Sequence, residues 1–237
     1  MQTTDALYKR IFQEDHHAEY RVIIGGNTYG EDYIIDISTS VSFSGSSRVG
    51  NVTSRQLDLS MIQPTTPPPK MAEIILQYRL VSDVDGDTSS WYGKGRFFID
   101  TRTVERSGID DLEVLSIHAY DSLMKASLAL YGSEGEYHSS DWPKYESEVV
   151  ELIASKIGVE VDPRTLTILT TSPRYRINYP GWKSDSAESE DGVYSMHDLL
   201  AAIASIHMGN FIITEKDYLR LIPVFPSIEP DDTTELA

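Results

Sequence analysis

The sequence predicts a mainly β protein in which an N-terminal β-barrel or sandwich precedes an α+β domain. Between Glu19 and His118, six or seven short runs alternate apolar and polar residues, and turn residues separate them, as in a small barrel. From Tyr120 onward, the apolar residues recur with the spacing of helices. We therefore expect a β-barrel domain at 1–119, an α+β domain with a terminal β-hairpin at 120–224, and an acidic tail or linker at 225–237.

The strands of the first domain follow from turn signals and strict alternation. EYRVIIGGNTYGEDYIIDIS indicates two strands joined by a Gly-Gly-Asn turn, and RQLDLSMI and AEIILQYRLV each alternate cleanly. GRFFIDTRTV and DLEVLSIHAY continue the pattern, and the former turns inward either Phe97 and Ile99 or Arg96 and Phe98. The proline-rich QPTTPPPK, which ends at Lys70, predicts a stiff connection because proline cannot donate a ladder hydrogen bond.

Three helices are predicted in the second domain from capping residues and glycine stops. DSLMKASLALYG begins at Asp121 or Ser122, and loss of the Asp121 cap is expected to cost about 1 kcal/mol. KYESEVVELIASKIG carries one apolar stripe and ends at Gly158. SMHDLLAAIASIHMG opens with a Ser-x-x-Asp capping pattern at Ser195 and ends at Gly209.

The rest of the second domain is predicted to be short β structure and loops. TLTILTT indicates a short strand, and NFIITEKDYLRLIPV indicates a hairpin that turns around Glu215, Lys216 and Asp217. An acidic loop, KSDSAESEDG, lies between Lys183 and Gly192.

Composition excludes several chemistries. The chain has no cysteine, so disulfides, cysteine-ligated zinc and thiol nucleophiles are ruled out. A net charge of −17 and a pI near 4.6 disfavour general binding to nucleic acid or to anionic membranes. The N-terminal residues lack the apolar core of a secretory signal, and no run approaches the ~18 apolar residues of a membrane span. We expect a soluble protein without a membrane anchor, made in a cytoplasm.

The segment DVDGDTSSWYGKGRFFID contains three alternating aspartates and is therefore a candidate calcium-binding loop. Asp83, Asp85 and Asp87 match the first three acidic positions of an EF-hand loop. Glycine falls at the fourth position as Gly86, however, and Lys94 stands where a bidentate glutamate is needed. Both flanks are predicted strands, and Asp-Gly between strands is a hairpin signal. The segment therefore predicts a hairpin tip, with weak calcium contact as the alternative.

No other cluster of residues forms a convincing site. Adjacent His16 and His17 cannot face one ion, and His197 and His207 lie nearly three turns apart on one predicted helix. His118 and His138 have no evident partner, and SGSSRVGN lacks a nucleophile elbow. We therefore assign no catalytic, cofactor-binding or metal-ligating residue, and we expect no cofactor and no enzymatic activity.

Two alternative functions remain open. Glu134, Glu136 and Asp141 could serve as the acid and base of a glycoside hydrolase that acts on peptidoglycan. A monomeric cell-wall glycan-binding module could use tryptophan rings as stacking faces. The candidate rings are those of Trp91, Trp142 and Trp182.

Five segments in order resemble a known family. They are LYKRIFQEDHHAEYRVIIGGNTYGEDYI, VGNVTSRQLDLSM leading to PPPKMAEIILQYRL, WYGKGRFFIDTR, LSIHAYDSLMKA, and LLAAIASIHMGNFIITEKDYLRLIPV. Together they are similar to the tail-tip and baseplate hub proteins of tailed phages and prophages of Gram-positive bacteria. The resemblance runs from about Leu7 to Val224. It implies a tube-like β-barrel with an α+β domain, trimeric assembly, and a structural role in closing the tail tube.

The resemblance also implies partners and a location. The partners are further copies of the chain in a trimer, the tail tube or distal tail protein, the tape measure protein, and a spike, fibre or receptor-binding protein. The location is the virion tail tip, with assembly in the bacterial host cytoplasm and host attachment through neighbouring proteins. DNA would pass nearby without specific binding, because a negative lumen repels it. RQLDLSMI and AEIILQYRLV are expected to be the edge strands that contact other copies.

Overall fold

The computed structural model describes residues 5–41, 49–106, 113–128, 130, 142–171, 175–178 and 194–224. The described chain divides into two compact units. The first takes residues within 5–41, 54–124 and 213–218, and the second takes those within 49–53, 125–212 and 219–224. The domain boundaries predicted from the sequence stay predictions. The predictions for 131–141, 183–192 and 225–237 lie outside the described residues.

The first unit consists of one short helix and one antiparallel sheet. Seven strands pair in the order β2-β1-β5-β6-β7-β4-β3, which confirms the six or seven strands predicted and a mainly β fold. The elements are α1 (Ala6–Ile11), β1 (His16–Ile24), β2 (Asn27–Tyr29), β3 (Ile34–Val41), β4 (Arg55–Ile62), β5 (Glu73–Ser82), β6 (Tyr92–Arg106) and β7 (Glu113–Tyr120).

One face of this sheet forms the hydrophobic core. β1, β4, β5, β6 and β7 all contribute buried side chains to a single cluster. Phe97 and Ile99 are fully buried in it, which decides which residues of β6 turn inward. Each such side chain contributes about 1.5–3 kcal/mol on burial. Because strands that are not neighbours share one cluster, the sheet curls around its core.

The strands predicted to be edges are central in the sheet. β4 pairs with β3 and β7, and β5 pairs with β1 and β6, so the edge assignment of RQLDLSMI and AEIILQYRLV is wrong. Clean alternation marked strands with one largely buried face, and both of these strands have neighbours on both sides. Within the described residues, β2 and β3 end the sheet and no ladder joins them. A closed tube-like barrel stays a prediction.

The second unit combines short strands with three helices. β11 (Gly209–Ile213), β12 (Tyr218–Pro223) and β9 (Glu160–Val161) form one sheet, while β8 (Lys144–Tyr145) pairs with β10 (Arg176–Ile177). The helices are α2 (Glu146–Ile157), α3 (Pro163–Thr170) and α4 (Met196–Ile206). The predicted hairpin at 210–224 is confirmed. Within the described residues, no helix combines the length and apolar character needed to cross a membrane.

Two of the predicted helices are confirmed with their caps. The apolar stripe of α2 is fully buried, and Gly158 ends the helix with a left-handed φ of 80°. Ser195 and Asp198 form the predicted capping box of α4. This helix ends at His207, before Gly209, which instead begins β11. A Cβ at Gly209 would lie 2.8 Å from the Ile222 carbonyl oxygen, so the strand needs glycine there.

Two local predictions are wrong. TLTILTT is helical in α3, because Asp162 accepts a hydrogen bond from the Arg164 N–H and Pro163 occupies the first helical position. β-branched residues favoured a strand locally, and the cap outweighed them. The segment after Tyr120 forms a 3₁₀ helix at Ser122–Ser127 rather than an α-helix that starts there.

The capping box of α4 gives a test of the fold. We expect Ser195→Ala to lower the free energy of unfolding by about 1 kcal/mol, because the Asp198 N–H loses its acceptor. Ser205→Ala in the same helix is the matched control, since its hydroxyl bonds only the Ala201 carbonyl. Urea unfolding followed by circular dichroism measures both. Equal losses in the two variants would contradict the cap.

Candidate functional site

The aspartate loop is the tip of the β5–β6 hairpin, as predicted. Asp85 accepts a hydrogen bond from the Asp87 N–H at 3.1 Å, and Gly86 adopts a left-handed φ of 77°. The Arg10 guanidinium bonds Asp85 at 3.0 Å and Asp87 at 2.6 Å, and His17 lies 2.6 Å from Asp83. The Asp87 N–H is the largest of the causes that hold the pKa of the Asp85 carboxyl below its usual range, followed by the Ser82 hydroxyl and the Arg10 guanidinium.

The same loop anchors the N-terminal helix to the sheet. Asp5 caps α1 by accepting from the Tyr8 N–H, and it also accepts from the Ser90 hydroxyl at 2.8 Å. The Asp5 N–H donates to the Tyr92 hydroxyl at 2.9 Å. Tyr8 packs edge-on against Tyr92, with ring centroids 4.8 Å apart. Asp5 and Tyr8 therefore hold α1 against the end of the loop and the start of β6.

A buried ion pair connects four segments of the first unit. Asp121 is fully buried and accepts hydrogen bonds from the N–H groups of Arg55, at 2.8 Å, and Leu123, at 3.0 Å. The Arg55 Nε lies 3.8 Å from the same carboxylate. The Arg55 guanidinium also donates to the carbonyls of Lys94 and Thr214, at 2.9 and 3.2 Å. Because Asp121 accepts two backbone N–H groups, its removal should cost more than the ~1 kcal/mol of a simple cap.

Burial dominates the electrostatics of this pair. Desolvation raises the pKa of the Asp121 carboxyl from 3.8 to about 6, although hydrogen bonds from the Arg55 and Leu123 N–H groups and the Arg55 charge oppose the change. Gly95 packs against the guanidinium with a φ of 135°, and a Cβ there would clash with it. The pair is enclosed by structure and is not placed to act on a ligand.

A charged groove crosses the outer face of β5 and β6. It has a volume of about 580 Å³ and includes residues 215–218 of the β11–β12 turn. Arg96 bridges Asp217 and Glu73, the latter at 3.3 Å. Burial raises the pKa of Asp217, and the Arg96 charge opposes this. Three acidic side chains, Glu73, Glu215 and Asp217, and two basic ones, Arg96 and Lys216, line the groove.

A polar face covers β3, β4, β7 and β6 on the side opposite the core. Asp58 and His118 stand directly opposite each other on β4 and β7, and their side chains meet at 2.6 Å. Hydroxyl side chains surround this pair in a shallow hollow of about 190 Å³. The hydroxyls are those of Ser60, Thr101, Thr103 and Ser116, and Arg102 also lines the hollow. His118 therefore has a partner that its position in the sequence did not indicate.

The second unit holds a buried pair that sequence reasoning missed. His207 Nε2 lies 2.9 Å from an oxygen of Glu146, which is fully buried. Glu146 begins α2, where the helix dipole favours a carboxylate. Its other oxygen is buried and lacks a hydrogen-bond partner. The two residues are 61 positions apart, so no local spacing could have found the pair.

Most of the residues considered as sites are apart or outside the described chain. Glu134, Glu136, His138, Asp141 and Trp182 lie outside the described residues. The Trp91 ring is covered by two guanidinium groups, at 4.2 and 4.7 Å, and Lys144 lies over Trp142 at 5.8 Å. His16 contacts the Glu14 carbonyl, and His197 lies 4.0 Å from Asp198. Among the described residues, no group of three His, Asp or Glu side chains could hold a metal ion.

The aspartate loop yields a prediction about calcium. We expect calorimetric titration to show no binding tighter than roughly millimolar, because Arg10 and His17 already contact the carboxylates and a bidentate ligand is missing. Asp85→Ala is the control variant. A dissociation constant of roughly micromolar that disappears in Asp85→Ala would overturn the interpretation.

The buried Asp121 yields a prediction about pH. Its folded pKa of about 6 exceeds the unfolded value of 3.8, so its contribution to stability is present below 3.8 and is lost as the pH rises through 6. Between these values Asp121 should add up to about 1.4 kcal/mol per pH unit to the free energy of unfolding on acidification, measured as the difference between the wild type and Asp121→Asn. Asp121→Asn should lack this gain, because its amide does not titrate. Urea unfolding at several pH values measures the difference, and parallel profiles would contradict the prediction.

Comparisons with known proteins identify a related fold. Neither a protein family nor a curated protein sequence matches the chain. Its structure is similar to the 43 kDa tail protein of prophage MuSo2 from Shewanella oneidensis, with a TM-score of 0.53 at 12% identity. That similarity covers 89% of this chain and 57% of that one. A tail protein from Neisseria meningitidis MC58 gives a TM-score of 0.47 at 10% identity, over 86% of this chain and 51% of the other.

The chain thus spans little more than half the length of each of these tail proteins. At 12% identity, the likeness to the prophage MuSo2 protein concerns the fold. The mainly β architecture of this chain is therefore one that a prophage tail protein also has.

Proposed function

We propose that this chain is a structural component of a phage or prophage tail, and that it acts as the hub at the tail tip. The observation that carries the proposal is the similarity of fold to the prophage MuSo2 tail protein, which extends over 89% of the chain. The ordered resemblance of five sequence segments to hub proteins supports the same role. The Gram-positive host implied by that resemblance stays a prediction.

The contacts of the charged side chains in the first unit are those expected of a structural protein. The aspartates bond Arg10 and His17, and Asp121 is enclosed with Arg55, so these charged groups hold segments of the chain in place. The Trp91 ring, a candidate for stacking against sugars, is instead covered by Arg21 and Arg79. These contacts favour a structural role over the glycan-binding alternative. A glycoside hydrolase would depend on carboxylates outside the described residues.

The proposal includes an assembly and a set of neighbours. The chain would form a trimer that closes the tail tube, with the tail tube or distal tail protein and the tape measure protein on one side. A spike, fibre or receptor-binding protein would follow on the other. DNA would pass through the lumen without specific binding, because a chain of net charge −17 repels it.

Cryo-electron microscopy of tails that contain this chain tests the proposal. We expect three copies at the end of the tail tube. They would form a closed ring, in which each contact rotates one copy relative to the next until the last copy meets the first. Isolated chains should associate weakly, with a mass that rises with concentration in light scattering. Six copies or one copy at the tube end would contradict the trimer. A position on the tail fibres, or hydrolysis of purified peptidoglycan, would contradict the hub role.

A further inference from the structure

The sheet of the first unit has two strand segments with one unpaired side. β3 pairs with β4 on one side, and no described residue pairs with its other side. β6 pairs with β5 only up to Phe98, and Met71 and Ala72 extend the contact to Ile99. From Thr101 to Glu105, β6 pairs with β7 alone within the described chain. Every residue of that segment is exposed.

These free edges face opposite directions across the sheet. β3, β4, β7 and β6 are consecutive and antiparallel, so β3 runs opposite to β6, and their free edges lie on opposite sides of this four-stranded block. If one copy is placed beside another by rotation alone, β3 of the first meets β6 of the second as an antiparallel pair. The alternation of strand direction then continues from copy to copy without a break.

The two edges also match face by face. On the core side, Thr39 lies opposite Leu57 on β4, and Val104 lies opposite Leu115 on β7. On the polar side, Ser38 lies opposite Asp58, and Thr103 lies opposite Ser116. Joined edges would set β-branched residues against each other on the core side and hydroxyls against each other on the polar side. Cross-strand pairs of both kinds stabilise sheets by about 0.2–1 kcal/mol each.

β3 lacks the features that usually protect an exposed edge. It contains no lysine and no proline, and Asp36 is its one charged residue. Its bulge lies at the start, between Ile34 and Asp36, so the pairing from Asp36 to Val41 is regular. Val41 is 45% exposed, and Val104 on the β6 edge is 47% exposed. The Thr101–Glu105 segment carries Arg102 and Glu105, whose opposite charges cancel, so in a chain of net charge −17 these two edges can approach with little repulsion.

From this geometry we propose that β3 of one chain adds to the Thr101–Glu105 segment of β6 in a second copy, head to tail. The contact joins two different edges, so it is heterologous and generates a ring when its rotation closes. The inference deepens the proposed function by naming the surfaces through which hub copies would meet. It rests on the proposed function only for the ring, since the strand contact itself can be measured on the isolated chain.

Disulfide cross-linking tests the contact, because the chain contains no cysteine of its own. The test variant is Ser38→Cys with Thr103→Cys, two exposed residues on the polar side. Within one copy these positions are separated by β4 and β7, or ~14 Å at the usual strand spacing. A disulfide needs Cα atoms within about 7 Å, so it can form only between copies. Ser38→Cys with Thr88→Cys is the matched control, since Thr88 is exposed on the aspartate loop.

Each outcome separates the alternatives on a non-reducing gel. Under mild oxidation at ~0.15 M salt, where surface charge repulsion is screened, we expect the double variant to form dimers and higher multimers. A mixture of the two single variants should stop at dimers, because each chain then carries one thiol. Thr101→Cys in place of Thr103→Cys covers a register shifted by two residues. We expect the double variant to give at least several-fold more cross-linked product than the Thr88 control.

Three results would overturn the contact. Cross-linking of Ser38→Cys alone, as strongly as the double variant, would mean that two β3 strands meet. Equal cross-linking of the Thr88 control would mean random collision. Absence of cross-links with Thr101 and Thr103, or a monomeric mass in light scattering at the same concentration, would mean that these edges do not join.

The position of the chain in the virion tests the proposed function separately. If the strands cross-link but the protein lies on the tail fibres, the strand contact is supported and the hub role is contradicted. If three copies lie at the tail tip but contact one another through other strands, the hub role is supported and the proposed strand contact is contradicted.

Discussion

Burial of one face of the seven-stranded sheet is the constraint on which the first unit depends. Because side chains alternate along a strand, a register error of one residue would expose every core residue of that strand. Leu57, Leu59 and Met61 on β4 and Phe97 and Ile99 on β6 all reach the same cluster, so neighbouring strands hold each other in register. The opposite face is then free to carry polar groups, and it does so around Asp58 and His118.

Ion pairs in this unit secure loops and segment ends that the ladder hydrogen bonds do not reach. Arg10 joins α1 to the hairpin tip, and Arg55 joins the end of β7 to Lys94 and to Thr214. Their carboxylate partners are Asp85 and Asp87 for Arg10 and Asp121 for Arg55. Within the described residues, β3 and the distal part of β6 each have one side without a neighbouring strand, and these are the sides through which we propose that copies meet.

Features that depend on residues close together in the chain could be predicted from the sequence, and features that depend on tertiary contacts could not. The capping box at Ser195 and the left-handed Gly158 are satisfied by residues within one turn, so they could be predicted. TLTILTT was misassigned because its β-branched residues pointed to a strand, while Asp162 and Pro163 start a helix there. The partners of His118 and His207 lie 60 and 61 residues away, so no spacing along the chain announces them.

The sequence by itself determined the alternation of the strands, the proline connection, the hairpin nature of the aspartate loop and the caps of two helices. Each of these depends on residues close together in the chain, whose geometry is set by backbone periodicity and by short hydrogen bonds. Only the tertiary structure decided which strands are central, which face of β6 is buried, and that Asp121 contacts Arg55. Strand order and buried charge pairs join residues far apart in the chain, because they arise from packing that minimises exposed apolar surface across the whole unit.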